Sequence, residues 1–145
     1  MNESEKEILA VFEAYRATAL AKDVGGHAAL YDEDVRAFDM WGTWAIDGLP
    51  AMRAMIQHWL GSLESETVVI NAQETRIEVE GSLASLEGFF TFEAFSPAGT
   101  RLRGLSSRMS WVLRRRRDAW KIVHQHSSVP LGPGLKGILE RERVA

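Results

Sequence analysis

Hydrophobic positions change their spacing along the chain. From residue 4 to about 22 they recur every three or four residues, with Ile8, Val11, Phe12, Tyr15 and Ala19 on one stripe. That is the pattern of a helix with one face toward a core. Ser4-Glu5-Lys6-Glu7 fits a capping box at its start, and Gly25-Gly26 breaks it. His27 to Tyr31 makes a short second helix or turn, and Asp32-Glu33-Asp34 reads as a solvated acidic connector. Residues 35–44 read as a short strand, a tight bend at Gly42 and a second short strand. Asp47-Gly48-Leu49-Pro50 starts a third helix, with Asp47 as its cap and Pro50 in its first turn. Met52, Met55, Ile56, Trp59, Leu60 and Leu63 are its apolar stripe.

From Thr67 the period becomes two. Strands are predicted over 68–79, 83–95, 100–113 and 119–129. They are joined by turns at Glu80-Gly81-Ser82, at Ser96-Pro97-Ala98-Gly99 and through Arg114 to Asp118. Long strands with short turns make an antiparallel meander. Residues 130–145 form a tail that ends in a charged segment, a small helix or a frayed end. Helices first and antiparallel strands after argue an α+β fold. The expected shape is a cone: a strongly curved antiparallel sheet, with about three N-terminal helices covering its concave face and a cavity between.

The last strand carries most of the candidate chemistry. Alternation places Trp120, Ile122, His124, His126 and Ser128 on one face, and Lys121, Val123, Gln125 and Ser127 on the other. The face that begins with Trp120 and Ile122 is the predicted interior. Two imidazoles and a hydroxyl there imply a polar network or a lined cavity, because an unpartnered buried polar group costs about 1–3 kcal/mol.

Composition narrows the classes. A chain of 145 residues is read as a single domain, 1–145. The absence of Cys excludes disulfides, thiolate metal sites and a cysteine nucleophile, and it suits a cytoplasmic protein. The acidic start, Met-Asn-Glu-Ser-Glu-Lys-Glu, is unlike a signal peptide. No apolar run approaches the roughly 20 residues of a membrane span. A net charge of −3 argues against nucleic-acid binding. Arg114 to Arg117 fall at a predicted hairpin turn, where charges are usually solvated.

The ending Trp120-Lys121-Ile122-Val123-His124-Gln125-His126-Ser127-Ser128 resembles the terminal strand of the SnoaL-like branch of the nuclear-transport-factor-2-like superfamily. Arg108 followed by Ser110 resembles the preceding strand, and Ala29 to Val35 resembles the exit of the second helix. The likeness spans roughly residues 4–129. It implies the cone fold and, since members commonly pair, a homodimer through the outer sheet face. Trp111, Phe89 and Phe95 are apolar enough to be covered by a partner. The superfamily hosts isomerases, cyclases, hydrolases, dehydratases and binding domains, so activity does not follow from fold.

Ketosteroid isomerase, a member, carries an oxyanion-hole Tyr on its first helix and a base Asp after its first strand. Tyr15 and Asp39 resemble that pair in position and spacing. The position of its second donor, a protonated Asp, is matched by Arg108, which keeps a donor with a permanent charge. The resemblance therefore implies catalytic roles for Asp39, Tyr15, Arg108 and His124.

The residues themselves leave alternatives. Asp39, beside Phe38, Met40 and Trp41, is either a general base or half of an ion pair with Arg108. Tyr15 either donates to an oxyanion or packs its ring in the core. Arg108 holds Asp39 or a bound carboxylate or enolate. His124 and His126 are acid/base groups, a core network, or the start of a metal site that lacks further ligands at a suitable spacing. Trp41, Trp44, Trp59, Phe90, Phe92 and Trp111 wall an apolar ligand or fill the core. The ligand-binding set is Trp41, Trp44, Trp59, His126 and Ser128, with no metal and no cofactor. The leading expectation is cofactor-independent isomerase, cyclase or lyase chemistry on an apolar carbonyl compound. The alternatives are a non-catalytic binding or association module and a metal-assisted hydrolase using His124 and His126.

Overall fold

The computed structural model describes residues 1–141. Three helices precede the four long strands of the meander: α1 (Glu3–Leu20), α2 (Val24–Ala28) and α3 (Leu49–Ser62), with two shorter strands between α2 and α3. Six strands make one sheet: β1 (Tyr31–Phe38), β2 (Ile46–Asp47), β3 (Thr67–Glu80), β4 (Leu83–Phe95), β5 (Arg101–Arg116) and β6 (Ala119–Ser128). Their order is β2-β1-β6-β5-β4-β3. The fold is the expected α+β cone, a curved sheet that does not close on itself, with the helices over its concave face. All pairings are antiparallel except β1 with β6, which run parallel. No helix among the described residues is long and apolar enough to cross a membrane.

The core lies between helices and sheet. Ile8, Phe12, Tyr15 and Ala19 of α1 and Met52, Ile56 and Leu60 of α3 are buried. They meet Val68 and Ile70 of β3, Leu86 and Phe90 of β4, and Met109, Trp111 and Leu113 of β5. Trp111 is wholly buried, so it packs in this core and is not available to a partner on the outer face.

Several local expectations are corrected. The cap of α1 is Asn2, whose side chain accepts from Glu5 N at 2.8 Å. Glu7 instead accepts from Trp120 Nε1 at 2.7 Å and from Arg115, tying α1 to the sheet. Asp47 does not cap α3; it lies in β2 and pairs with Arg36 at 3.2 Å, while Gly48 takes the cap position at φ +85°. Asp32 to Asp34 belong to β1, not to a connector, and Asp32 pairs with Arg116 at 3.1 Å. The arginine run therefore extends β5, and its turn is confined to Arg117 and Asp118.

The pairing register shifts at four places in the sheet, and two of these bear on the site and its support. On β3 the register shifts between Gln73 and Arg76, where Glu74 adopts φ +54°. Gly88 of β4 faces this bulge: a Cβ there would lie 3.1 Å from Gln73 O and 3.2 Å from Thr75 Cα. On β6 the register shifts opposite Val112/Leu113, so that Leu113 faces Ile122 and Val112 faces His124. Val123 is the extra residue, and beyond it the alternation of faces inverts.

The tail is not helical apart from a short 3-10 turn, Pro133–Leu135. Leu139 O accepts from Ser106 N at 2.8 Å, beyond the end of β6. Arg141 lies over the Phe89 ring at 3.7 Å and pairs with Glu74. Residues 142–145, part of the predicted charged end, lie outside the described residues.

Candidate functional site

A cavity of about 700 Å³ opens between the helices and the inner face of the sheet. Met55 and Trp59 of α3, Phe92 of β4, Leu105 and Met109 of β5, and Ile46 of β2 give it apolar walls. Trp41, 57% exposed, lines the same space, so the mouth lies beside the loop that follows β1.

The polar groups come from four elements. Tyr15 descends from α1, its ring fixed by edge contacts with Trp111 at 5.1 Å and Phe90 at 6.0 Å. Its hydroxyl makes no hydrogen bond among the described residues. Burial first, and the Asp39 charge second, push its phenol well above the ordinary range. Tyr15 therefore keeps its proton at neutral pH, and its hydroxyl can donate a hydrogen bond. Asp39 follows β1 directly. Its Oδ1 accepts from Ser127 Oγ at 3.1 Å and from Met40 N at 2.9 Å. Those bonds fix the carboxylate and leave Oδ2 without a hydrogen-bond partner among the described residues.

Deeper in the cavity, Gln125 Oε1 accepts from Tyr31 Oη at 2.7 Å and Trp111 Nε1 at 3.0 Å. Two donors on Oε1 fix the amide orientation, and Nε2 keeps its hydrogens for another acceptor. Burial is also the main cause that holds the Tyr31 phenol far above its usual range. Ser107 lines the cavity from β5, and its buried Oγ has no partner among the described residues. On α2, His27 Nδ1 is 2.8 Å from Thr18 Oγ1. Burial lowers its pKa to about 4 against the opposing Tyr15 backbone and Asp23, so the ring is neutral at pH 7.

Of the residues singled out from sequence, Tyr15, Asp39, Trp41, Trp59 and Phe92 line this cavity, while Phe90 and Trp111 fill the core. Arg108, His124, His126 and Ser128 do not. Arg108 is exposed and donates to Ser128 Oγ at 3.0 Å, so it forms no ion pair with Asp39. His124 Nδ1 lies 2.7 Å from Arg36 O, and the rings of His124 and His126 pack on Phe38 at 5.0 and 5.5 Å. The bulge at Val123 is the cause: it carries both imidazoles to the outer face and turns Gln125 and Ser127 inward. Trp44, 96% exposed, lies outside the cavity. Among the described residues no group of three or more His, Asp or Glu side chains is placed to hold a metal ion.

Tyr31, His27, Ser107, Gln125 and Ser127 escaped the sequence reading. For Ser107 a signal was present: it alternates with Leu105, Met109, Trp111 and Leu113, a more apolar set than the one around Arg108. Gln125 and Ser127 had none, since a bulge leaves no mark in the alternation.

A half-open cone with a cavity under its helices defines the nuclear-transport-factor-2-like class. The chain belongs to the SnoaL-like family within it: the SnoaL-like domain matches residues 8–132. Among solved structures, a nuclear-transport-factor-2-like protein of unknown function from Pseudomonas putida superposes with a TM-score of 0.83. It is 20% identical, over 97% of this chain and 96% of that one. A putative calcium/calmodulin-dependent protein kinase II association domain from Xanthomonas campestris gives 0.72 at 20% identity, over 88% of both chains. A putative dehydratase from Streptomyces avermitilis gives 0.72 at 12% identity, over 88% and 97%. These likenesses concern the fold. No functionally curated protein matches the sequence.

Proposed function

We propose that the cavity binds an apolar carbonyl compound and moves a proton on it, as an isomerase, cyclase or lyase would, without a cofactor. The reading rests on one observation: an unpartnered Tyr15 hydroxyl and the Asp39 carboxylate face the same largely apolar cavity from rigid elements. Asp39 Oδ2 takes a proton from the carbon beside the carbonyl. Tyr15 Oη–H meets the oxygen as negative charge develops there. Gln125 Nε2–H takes the second donor position that the sequence suggested for Arg108. Desolvation by Trp59, Phe92 and Met109 strengthens each of these interactions.

The test uses 1-tetralone in deuterated water, with hydrogen exchange beside its carbonyl followed by NMR. The wild-type protein accelerates exchange, Asp39→Asn loses about 10²- to 10⁴-fold, and Tyr15→Phe loses about 10²-fold. Exchange that is unchanged in Asp39→Asn removes Asp39 from the mechanism. Binding of the ketone with no exchange by the wild type supports a non-catalytic binding module instead.

We also propose that the protein is a homodimer and works in the cytoplasm. The outer face of β1 and β6, with Phe38, His124 and His126 clustered and Arg36 5.0 Å over Phe38, is the patch offered to a second copy. The β3–β4 side is engaged by the tail through Arg141, Glu74 and Phe89. Light scattering should give twice the chain mass for the wild type and a monomer for Phe38→Glu. A monomeric wild type refutes the pairing.

A further inference from the structure

The hydrogen-bonding capacity of the cavity exceeds what one carbonyl group satisfies. A carbonyl oxygen has two lone pairs, and Tyr15 Oη–H with Gln125 Nε2–H fills both. It has no proton to give. Next to Tyr15, on α2, His27 is only 1% exposed yet lines the cavity. The Thr18 hydroxyl has one proton, and the Ala14 carbonyl lies 2.7 Å from it. The Thr18 oxygen therefore accepts from His27 Nδ1–H, the 2.8 Å contact between them. Nε2 is left as a bare acceptor without a partner among the described residues. The ring cannot turn away, because it packs against Tyr15 at 4.5 Å and Trp59 at 5.8 Å. A second polar group supports this: Ser107, 3% exposed, lines the sheet side with an Oγ that has no partner among the described residues.

We infer that His27 is the acceptor for a ligand hydroxyl, and that the ligand class is a hydroxylated carbonyl compound rather than a plain ketone. The carbonyl faces the sheet-side donor Gln125 and Tyr15, and the hydroxyl is directed to α2. His27 binds and orients; it touches no reacting atom. The inference rests on the reading of this cavity as a carbonyl site, and its test separates the two.

The probes are 1-tetralone, 6-hydroxy-1-tetralone and 6-methoxy-1-tetralone, titrated calorimetrically into the full chain. The hydroxy ketone should bind about 10-fold tighter than the methoxy ketone, the effect of one hydrogen bond to a neutral acceptor. His27→Phe keeps a ring in place and should abolish that ratio, while Tyr15→Phe should weaken all three ligands and keep it. Equal affinities in the wild type overturn the His27 inference and leave the carbonyl site standing. A ratio that survives in His27→Phe also overturns it. Binding of none of the three overturns both readings. Should His27→Phe fail to fold, two-bond proton–nitrogen NMR of the wild type decides. The His27 Nε2 resonance must be unprotonated in the free protein and move upfield with the hydroxy ketone but not with the methoxy ketone. A resonance that does not move refutes the assignment.

Discussion

Tyr15 and His27 are neighbouring rings with opposite consequences of the same burial. Desolvation disfavours the charged form of each. It keeps the Tyr15 phenol protonated and able to donate, and it keeps the His27 imidazole neutral. The two differ in what they do to stability. An unfolded chain protonates its histidine near 6.5, whereas folded His27 resists until about 4. Stability from this residue is complete above about pH 6.5 and falls as the pH drops toward 4, because the unfolded state then binds the extra proton. The full loss is on the order of 3 kcal/mol. Urea midpoints of the wild type should decline over that window, and the decline should be shallower in His27→Phe. Parallel curves would mean that His27 titrates normally. Helical spacing made the burial of Tyr15 legible in the sequence, but its pairing with Asp39 came only from the resemblance to ketosteroid isomerase. His27 was not legible, since its role depends on Thr18, nine residues away on another helix.

At the scale of elements, helices and strands follow from periodicity, while facing depends on bulges. The stripe Ile8, Phe12, Tyr15, Ala19 was legible because a helix repeats without interruption. On β6, alternation was sound only as far as Ile122; a single unpaired residue, Val123, then reversed it. That one shift accounts for the misplacement of His124, His126 and Ser128 and for the missed Gln125 and Ser127. β1 was read too short because its acidic residues look solvated, yet Asp32 is buried against Arg116. Two substitutions test this level. Gly88→Ala forces a Cβ against the backbone of the β3 bulge, and it should cost about 1–3 kcal/mol in chemical denaturation. Arg117 adopts φ +58° in the β5–β6 turn, a conformation that strains an L-residue by about 1–2 kcal/mol. Arg117→Gly removes that strain at an entropic cost of about 0.5–1 kcal/mol. A small net gain, read as a rise in melting temperature, is the expected result, and a loss would show that the arginine side chain holds the turn.

At the scale of the molecule, the cone sacrifices contacts for space. A cavity of about 700 Å³ in a 145-residue domain leaves apolar walls unmatched on one side. A ligand that fills it binds only the folded state. At a free concentration 100 times its dissociation constant it should add about 2.7 kcal/mol of stability. Thermal shift with 6-hydroxy-1-tetralone measures this, and no shift at that concentration would mean that the compound does not bind the folded protein in preference to the unfolded chain. The architecture was legible as a whole from the order of helices and strands. What acts in the cavity was not, because the same cone serves catalytic and non-catalytic relatives.

The junction between Ser106 and Leu139 gives this tail a built-in clock. Ser106 lies where β6 has already ended, and its amide hydrogen is held there by a single carbonyl from a segment 33 residues further along the chain. Neighbouring amides inside β5 are shielded by the sheet and exchange with solvent deuterium only in rare, larger openings. The Ser106 amide should exchange when the tail lifts, without waiting for the sheet to open, and so faster than its neighbours in β5. The difference between its protection and theirs therefore reports how readily the last dozen described residues detach, apart from unfolding of the cone.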